Sequence, residues 1–255
     1  MQITIPTLLF VFLVACQSPN NKEKNLVKSE APDSQVEEEM GYLLPGLDHG
    51  LMQSPINIIT KNVREASEHE IILRYTTSKE SVSNLGHTVQ VNYDEGSSVE
   101  YDGKIYAFKQ FHFHTPSEHH IDGITYPLEM HMVHQAQSEG DSVPQYFVWG
   151  MLFKEGDRNA FLDEFLGAIP EEEGESVELH NKTVDVTHMI NEHDVHGCYH
   201  YNGSLTTPPY TESVHWGLLA KIFDASPDQI EKLNRLEGNN ARHIQAVYSR
   251  VIEQL

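Results

Sequence analysis

The sequence predicts a mainly β fold with a few short peripheral helices. Three observations carry that expectation: runs of β-branched and aromatic residues recur along the chain, Gly, Asp and Pro punctuate them, and helical signals are confined to two short stretches. A length of 255 residues, 39% hydrophobic and 22% charged, suits one large domain with a sizeable core. The formal net charge of -21 would repel phosphates, so nucleic acid is not an expected partner.

In chain order, the first element is the apolar run "MQITIPTLLFVFLVAC", too short to span a bilayer and placed where an export signal belongs. Its end, Leu13-Val14-Ala15-Cys16, resembles a bacterial lipoprotein signal, although no Lys or Arg precedes the apolar core. On that reading residues 1–15 are removed, Cys16 carries lipid, and the protein is exported and attached to a bacterial membrane, periplasmic or at the cell surface. A plain secretory signal with an incidental Cys is the alternative. Residues 16–40 are polar and charged and read as a flexible tether, leaving 41–255 as the folded unit. Besides Cys16 only Cys198 exists, so a lipidated Cys16 leaves no intramolecular disulfide, and Cys198 reads as a small buried apolar residue.

The strand expectations are "EIILRYT" (70–76), "HTVQVNY" (87–93), "KIYAFKQFHFH" (104–114), "YPLEMHMVH" (126–134), "QYFVWGMLF" (145–153) and "SVHWGLLAK" (213–221). One helix is expected over Arg158 to Leu166 with Gly167 as its stop. Another follows Ser226-Pro227-Asp228-Gln229, a capping box with Pro at the first helical position, and sets Ile230, Leu233 and Leu236 on one face.

The stretch "QFHFHTPSEHH" holds His112, His114, His119 and His120 around Glu118. On a strand, His112 and His114 share one face while Phe111 and Phe113 share the other. The Asp-Gly in "IDGITYP" predicts that this strand folds back on "LEMHMVH", which brings His131 into reach. Three neutral nitrogen ligands with a fourth position open describe a catalytic zinc site, since no Cys is available to close it. Gln110 and Glu129, each two positions before a ligand, are placed to hold the other ring nitrogens of His112 and His131. His112-x-His114-x3-Glu118 also fits part of the cupin motif, in which Glu118 would itself be a ligand of iron or manganese. Against it, Tyr106 and Thr125 stand where cupin glycines are usual.

Five segments in order, "QSPINI" (53–58), "LGHTVQV" (85–91), "QFHFHTPSEH" (110–119), "LEMHMVH" (128–134) and "YNGSLTTPP" (201–209), resemble the α-class carbonic anhydrases, and "NNARHIQ" (239–245) matches more loosely. The resemblance implies a large, twisted, mostly antiparallel sheet of about ten strands, a Zn2+ cofactor at His112, His114 and His131, and reversible hydration of CO2 to bicarbonate. It implies that Thr206 accepts a hydrogen bond from zinc-bound hydroxide and donates to Glu118, that Thr207 lies near the bicarbonate site, and that His87 shuttles the proton. Val133, Val148, Leu205, Val214 and Trp216 are the implied apolar wall for CO2, while Asn240 and Arg242 are structural. A non-catalytic surface module on the same fold is the competing class; retention of all three histidines favours the enzyme. The chain departs from the pattern at Leu85, at Tyr210 where many bacterial members carry Cys, and at His243 and Ala246 in place of prolines. Its N-terminal stretch offers only Tyr42 for the cleft-rim tyrosine.

Overall fold

The computed structural model describes residues 50–255 apart from 67–68, 79–80, 138–139, 141 and 180–182. Cys16, Tyr42, the leader and the tether lie outside the described residues. Strands β1 (Asn57–Ile58), β2 (Arg64–Glu65), β3 (Ile71–Arg74), β4 (Ser81–Asn84), β5 (Val89–Asn92), β6 (Ser98–Tyr101) and β7 (Lys104–His114) come first. They are followed by β8 (His120–Ile121), β9 (Leu128–Ala136), β10 (Tyr146–Glu155), β11 (Ser176–Glu178), β12 (Tyr199–Gly203), β13 (Val214–Ala225) and β14 (Glu253–Gln254).

One 12-stranded sheet has the order β11-β4-β5-β7-β9-β10-β13-β12-β14-β2, with β6 also on β7 and β3 beyond β6. Only β10 with β13 and β14 with β2 pair in parallel, so the sheet is mostly antiparallel as expected. Each of the six sequence-marked segments holds a strand. The polar strands β4 ("SVSN") and β6 ("SVEY") carry too little apolar character to stand out alone.

The histidine strand owes its two faces to a bulge. By simple alternation Tyr106 and Phe108 would lie on the same face as His112 and His114. The register on β9 shifts between Phe108 and Gln110, and the extra residue reverses the alternation. Tyr106, Phe108, Phe111 and Phe113 therefore all enter the larger core, with Met130, Met132, Phe147 and Trp149. The opposite face is left to histidines and to a smaller apolar cluster.

The Asp-Gly turn forms, with φ of 50° at Asp122 and 81° at Gly123, and Ile124 N–H donates to Ile121 at 2.9 Å. It does not join β7 to β9 directly, which corrects the simple hairpin expected. The connection leaves the main sheet, and β8 pairs in parallel with β1 as a separate two-stranded unit. Backbone groups freed by this detour find new partners: the N–H groups of Glu118 and His119 both donate to Glu129 Oε2 at 2.8 Å.

Helix α1 (Ala160–Phe165) is capped by Asn159, whose side chain accepts from Phe161 N–H at 3.1 Å. It starts two residues later than expected because the backbone at Asn159 is extended, φ -89° and ψ 117°, as its capping role requires. After the short α2 (Glu192–Val195), α3 (Pro227–Glu237) follows its capping box, with Gln229 Oε1 accepting from Ser226 N–H at 3.1 Å. Ile230 and Leu233 are buried in the larger core and Leu236 packs against it, the face expected from their spacing. Cys198 is buried and free. No helix among the described residues is long and apolar enough to cross a membrane.

Candidate metal centre and active site

Strand register assembles the centre. His112 stands opposite His131, and His114 opposite Glu129, across the β7–β9 pair. One nitrogen from each of His112, His114 and His131 lies within 4.8 Å of the other two. Burial disfavours imidazolium, so His112 and His131 are pushed down from the usual histidine range and His114 to about 4, and all three rings are neutral.

Two rings are oriented from behind. His112 Nδ1–H donates to Gln110 Oε1 at 2.9 Å, which leaves Nε2 for the centre. His131 Nε2–H donates to Glu129 Oε1 at 2.7 Å, which leaves Nδ1. Both nitrogens of His114 are buried without a hydrogen-bond partner. Buried polar atoms are rarely orphaned, and a neutral imidazole whose one lone pair is unclaimed, set among two others, fits a cation such as Zn2+.

Glu129 belongs to a wider network than the sequence reading assigned. Its Oε1 also accepts from His119 Nδ1–H at 2.7 Å, and His119 Nε2 meets Tyr201 Oη at 2.6 Å. Tyr201 Oη donates to Ser54 Oγ at 2.9 Å. Burial alone would raise the Glu129 pKa, yet the imidazoles of His119 and His131 hold it well below the carboxylate range. The grouping of His119, Glu129 and His131 is thus a hydrogen-bonded triad. The doubled histidine in "SEHH" was its signal, but pairing with Tyr201 and Ser54, far off in the chain, was not legible.

Glu118 is buried beside the centre, its Oε2 3.5 Å from His114 Nε2 and 3.9 Å from His131 Nδ1. Its Oε1 accepts from Arg242 N–H at 2.9 Å. Burial pushes its pKa up to about 7, opposed by the attraction of His131 and by hydrogen bonds from Arg242 and Thr206. The metal-competent group closes on three imidazoles without Glu118, which departs from the cupin ligand set. Arg242 also holds the backbone of Ser54 at 2.7 Å and lies over the ring of Tyr210, 3.7 Å from its centroid.

Val148, Val214 and Trp216 are buried in the smaller apolar cluster, with Val133 and Leu205 partly buried against it. The Trp216 ring lies 4.8 Å from that of His131. Thr206 is nearly buried and Thr207 is exposed. His87 is exposed, and its Nδ1–H donates to Leu85 O at 3.0 Å. Asn240 ties it to the ligand strand, donating to His87 O at 2.9 Å and Phe113 O at 3.1 Å.

A family model described as eukaryotic-type carbonic anhydrase matches residues 45–254. A carbonic anhydrase from Neisseria gonorrhoeae is 34% identical over 259 residues, covering 98% of this chain and 97% of the relative. Among solved structures, the α-carbonic anhydrase of Photobacterium profundum superposes with a TM-score of 0.74 at 34% identity, covering 85% of this chain and 95% of its own. That of Thermovibrio ammonificans, solved with the inhibitor sulfanilamide, gives 0.75 at 33% identity, with coverage of 85% and 94%.

Proposed function

The chain belongs to the eukaryotic-type carbonic anhydrase family, whose reaction is the hydration of carbon dioxide, and from that premise we propose that it works with one Zn2+ held by His112, His114 and His131. The observation that carries this reading is the convergence of three imidazoles within 4.8 Å, those of His114 and His131 buried and that of His112 half-buried. Held there, zinc supplies Lewis acidity that makes water nucleophilic near neutral pH.

The chain's own residues do the rest. Gln110 and Glu129 keep Nε2 of His112 and Nδ1 of His131 turned inward by occupying the opposite ring nitrogens. Glu118, when ionised, only accepts, so it takes the hydrogen bond of Thr206 O–H and leaves the Thr206 oxygen to accept from the attacking water and aim it. Val133, Val148, Leu205, Val214 and Trp216 offer an uncharged substrate an apolar wall and keep bulk water off it. Thr207, at the exposed end, meets the bicarbonate product. His87 carries the released proton outward, because it is exposed and is tied through Asn240 to the strand that bears His112 and His114.

The apolar leader ending at Cys16 and the polar stretch to residue 40 support export and lipid attachment to a membrane. Stopped-flow hydration of CO2 with metal analysis tests the catalytic reading. The wild-type chain should carry one zinc at His112, His114 and His131 and run well above buffer, and His131→Ala should lose that zinc and the activity together. No activity in a folded, zinc-loaded sample would overturn it.

A further inference from the structure

A second histidine cluster lies on the opposite face of the sheet. In β12, Tyr199 and Tyr201 join the smaller apolar cluster, so His200 between them points the other way. There its ring stacks on Tyr101, centroids 4.9 Å apart, and its strand position faces Glu253 across the β12–β14 pair. One nitrogen of His69, one of His200 and one carboxylate oxygen of Glu253 lie within 4.8 Å of one another.

We propose that His69, His200 and Glu253 form a second cation site, a structural clip for Zn2+ or a similar first-row divalent ion. Two independent features support it. His200 is only 4% exposed, and its Nε2 has no hydrogen-bond partner, an orphaned donor or acceptor in the interior. His69 is already oriented, because its Nδ1 lies 2.8 Å from Asp102 Oδ2, a carboxylate that can only accept. In the neutral ring that leaves the Nε2 lone pair facing Glu253 Oε2 at 3.5 Å. Two acceptors face each other there unless a proton or a cation stands between them. Two donors bound tetrahedrally at about 2.0–2.1 Å are separated by about 3.4 Å, close to the spacing found. A carboxylate behind a ligating imidazole is also the usual support of a metal-bound histidine.

His69 and Glu253 are partly exposed, which gives an ion access from solvent. Bound there, it would tie the last strand and β12 to the segment leading into β3. Ligands bound only by the folded state stabilise it, so the ion should raise the thermal midpoint.

The full chain, preloaded with one equivalent of Zn2+, is titrated with further Zn2+ by calorimetry and metal analysis, with thermal melts alongside. Wild type should take up a second equivalent and melt at a higher temperature. Glu253→Gln and His69→Gln should each lose the second equivalent and the shift, while keeping the first equivalent and CO2 hydration. Asp102→Asn should weaken the second site about 10-fold or more. Substituting the buried His200 risks the fold, so the two partly exposed ligands decide the matter. A wild type that stops at one equivalent, or a second equivalent that survives both substitutions, overturns the proposal.

Discussion

His87 and Glu237 show how much a single side chain's surroundings decide. His87 is exposed and joined through Asn240 to the ligand strand. His87→Ala should lower maximal turnover in weak buffer by about 10-fold or more, leave kcat/KM and zinc content nearly unchanged, and be partly rescued by added imidazole. Turnover unchanged in weak buffer would remove His87 from the mechanism. Glu237, at the end of α3, is 5% exposed and accepts from Val89 N–H at 3.0 Å. Burial pushes its carboxyl up to about 8 from an ordinary 4.5. Because the folded state holds this proton more tightly, the stabilisation is complete below about pH 4.5 and is lost as pH rises through about 8. Glu237→Gln should flatten that decline and gain on wild type by on the order of 5 kcal/mol between the two ends of the window, read from melts across pH. Motif spacing made the three imidazoles and Gln110 legible, whereas the partners of Glu237, Arg242 and Tyr201 lie more than eighty residues away in sequence and no local pattern names them.

Among the elements, β7 matches its expected bounds end to end because its apolar residues and flanking turn signals agree. The bulge between Phe108 and Gln110 was not legible, since it depends on how β7 fits β9. Packing between β10 and β13 is equally specific. A Cβ at Gly217 would sit 2.4 Å from the ring of Trp149, which is fully buried. Gly217→Ala should therefore cost about 1–3 kcal/mol, seen as a lower denaturation midpoint. A midpoint equal to wild type would mean that the ring can move aside.

At the scale of the whole molecule, the export reading divides the chain into leader, tether and catalytic unit. If Cys16 carries the lipid, wild type should fractionate with membranes, and Cys16→Ser should release the chain with its specific activity intact. A wild-type protein already found free of membranes would sink that assignment. The folded unit's sheet joins both ends of the described chain, β2 pairing with β14 and Ile56 bridging to Gln245.

Local alternation alone places His112 and His114 on one face and Glu129 and His131 on another, because a strand's side-chain period is set by its own backbone. With the fold-back expected at Asp122-Gly123, that was enough to expect a three-imidazole centre and, with the motifs around it, the family. Tertiary structure decided what alternation cannot reach. It set the register that puts His112 opposite His131, the bulge that sends all four β7 aromatics to one core, and the detour that gives Glu129 a second histidine and two backbone N–H groups. It also brought His69, His200 and Glu253 together from separate parts of the chain. Those outcomes come from packing and hydrogen-bond satisfaction between distant segments, and no single segment carries a pattern for them.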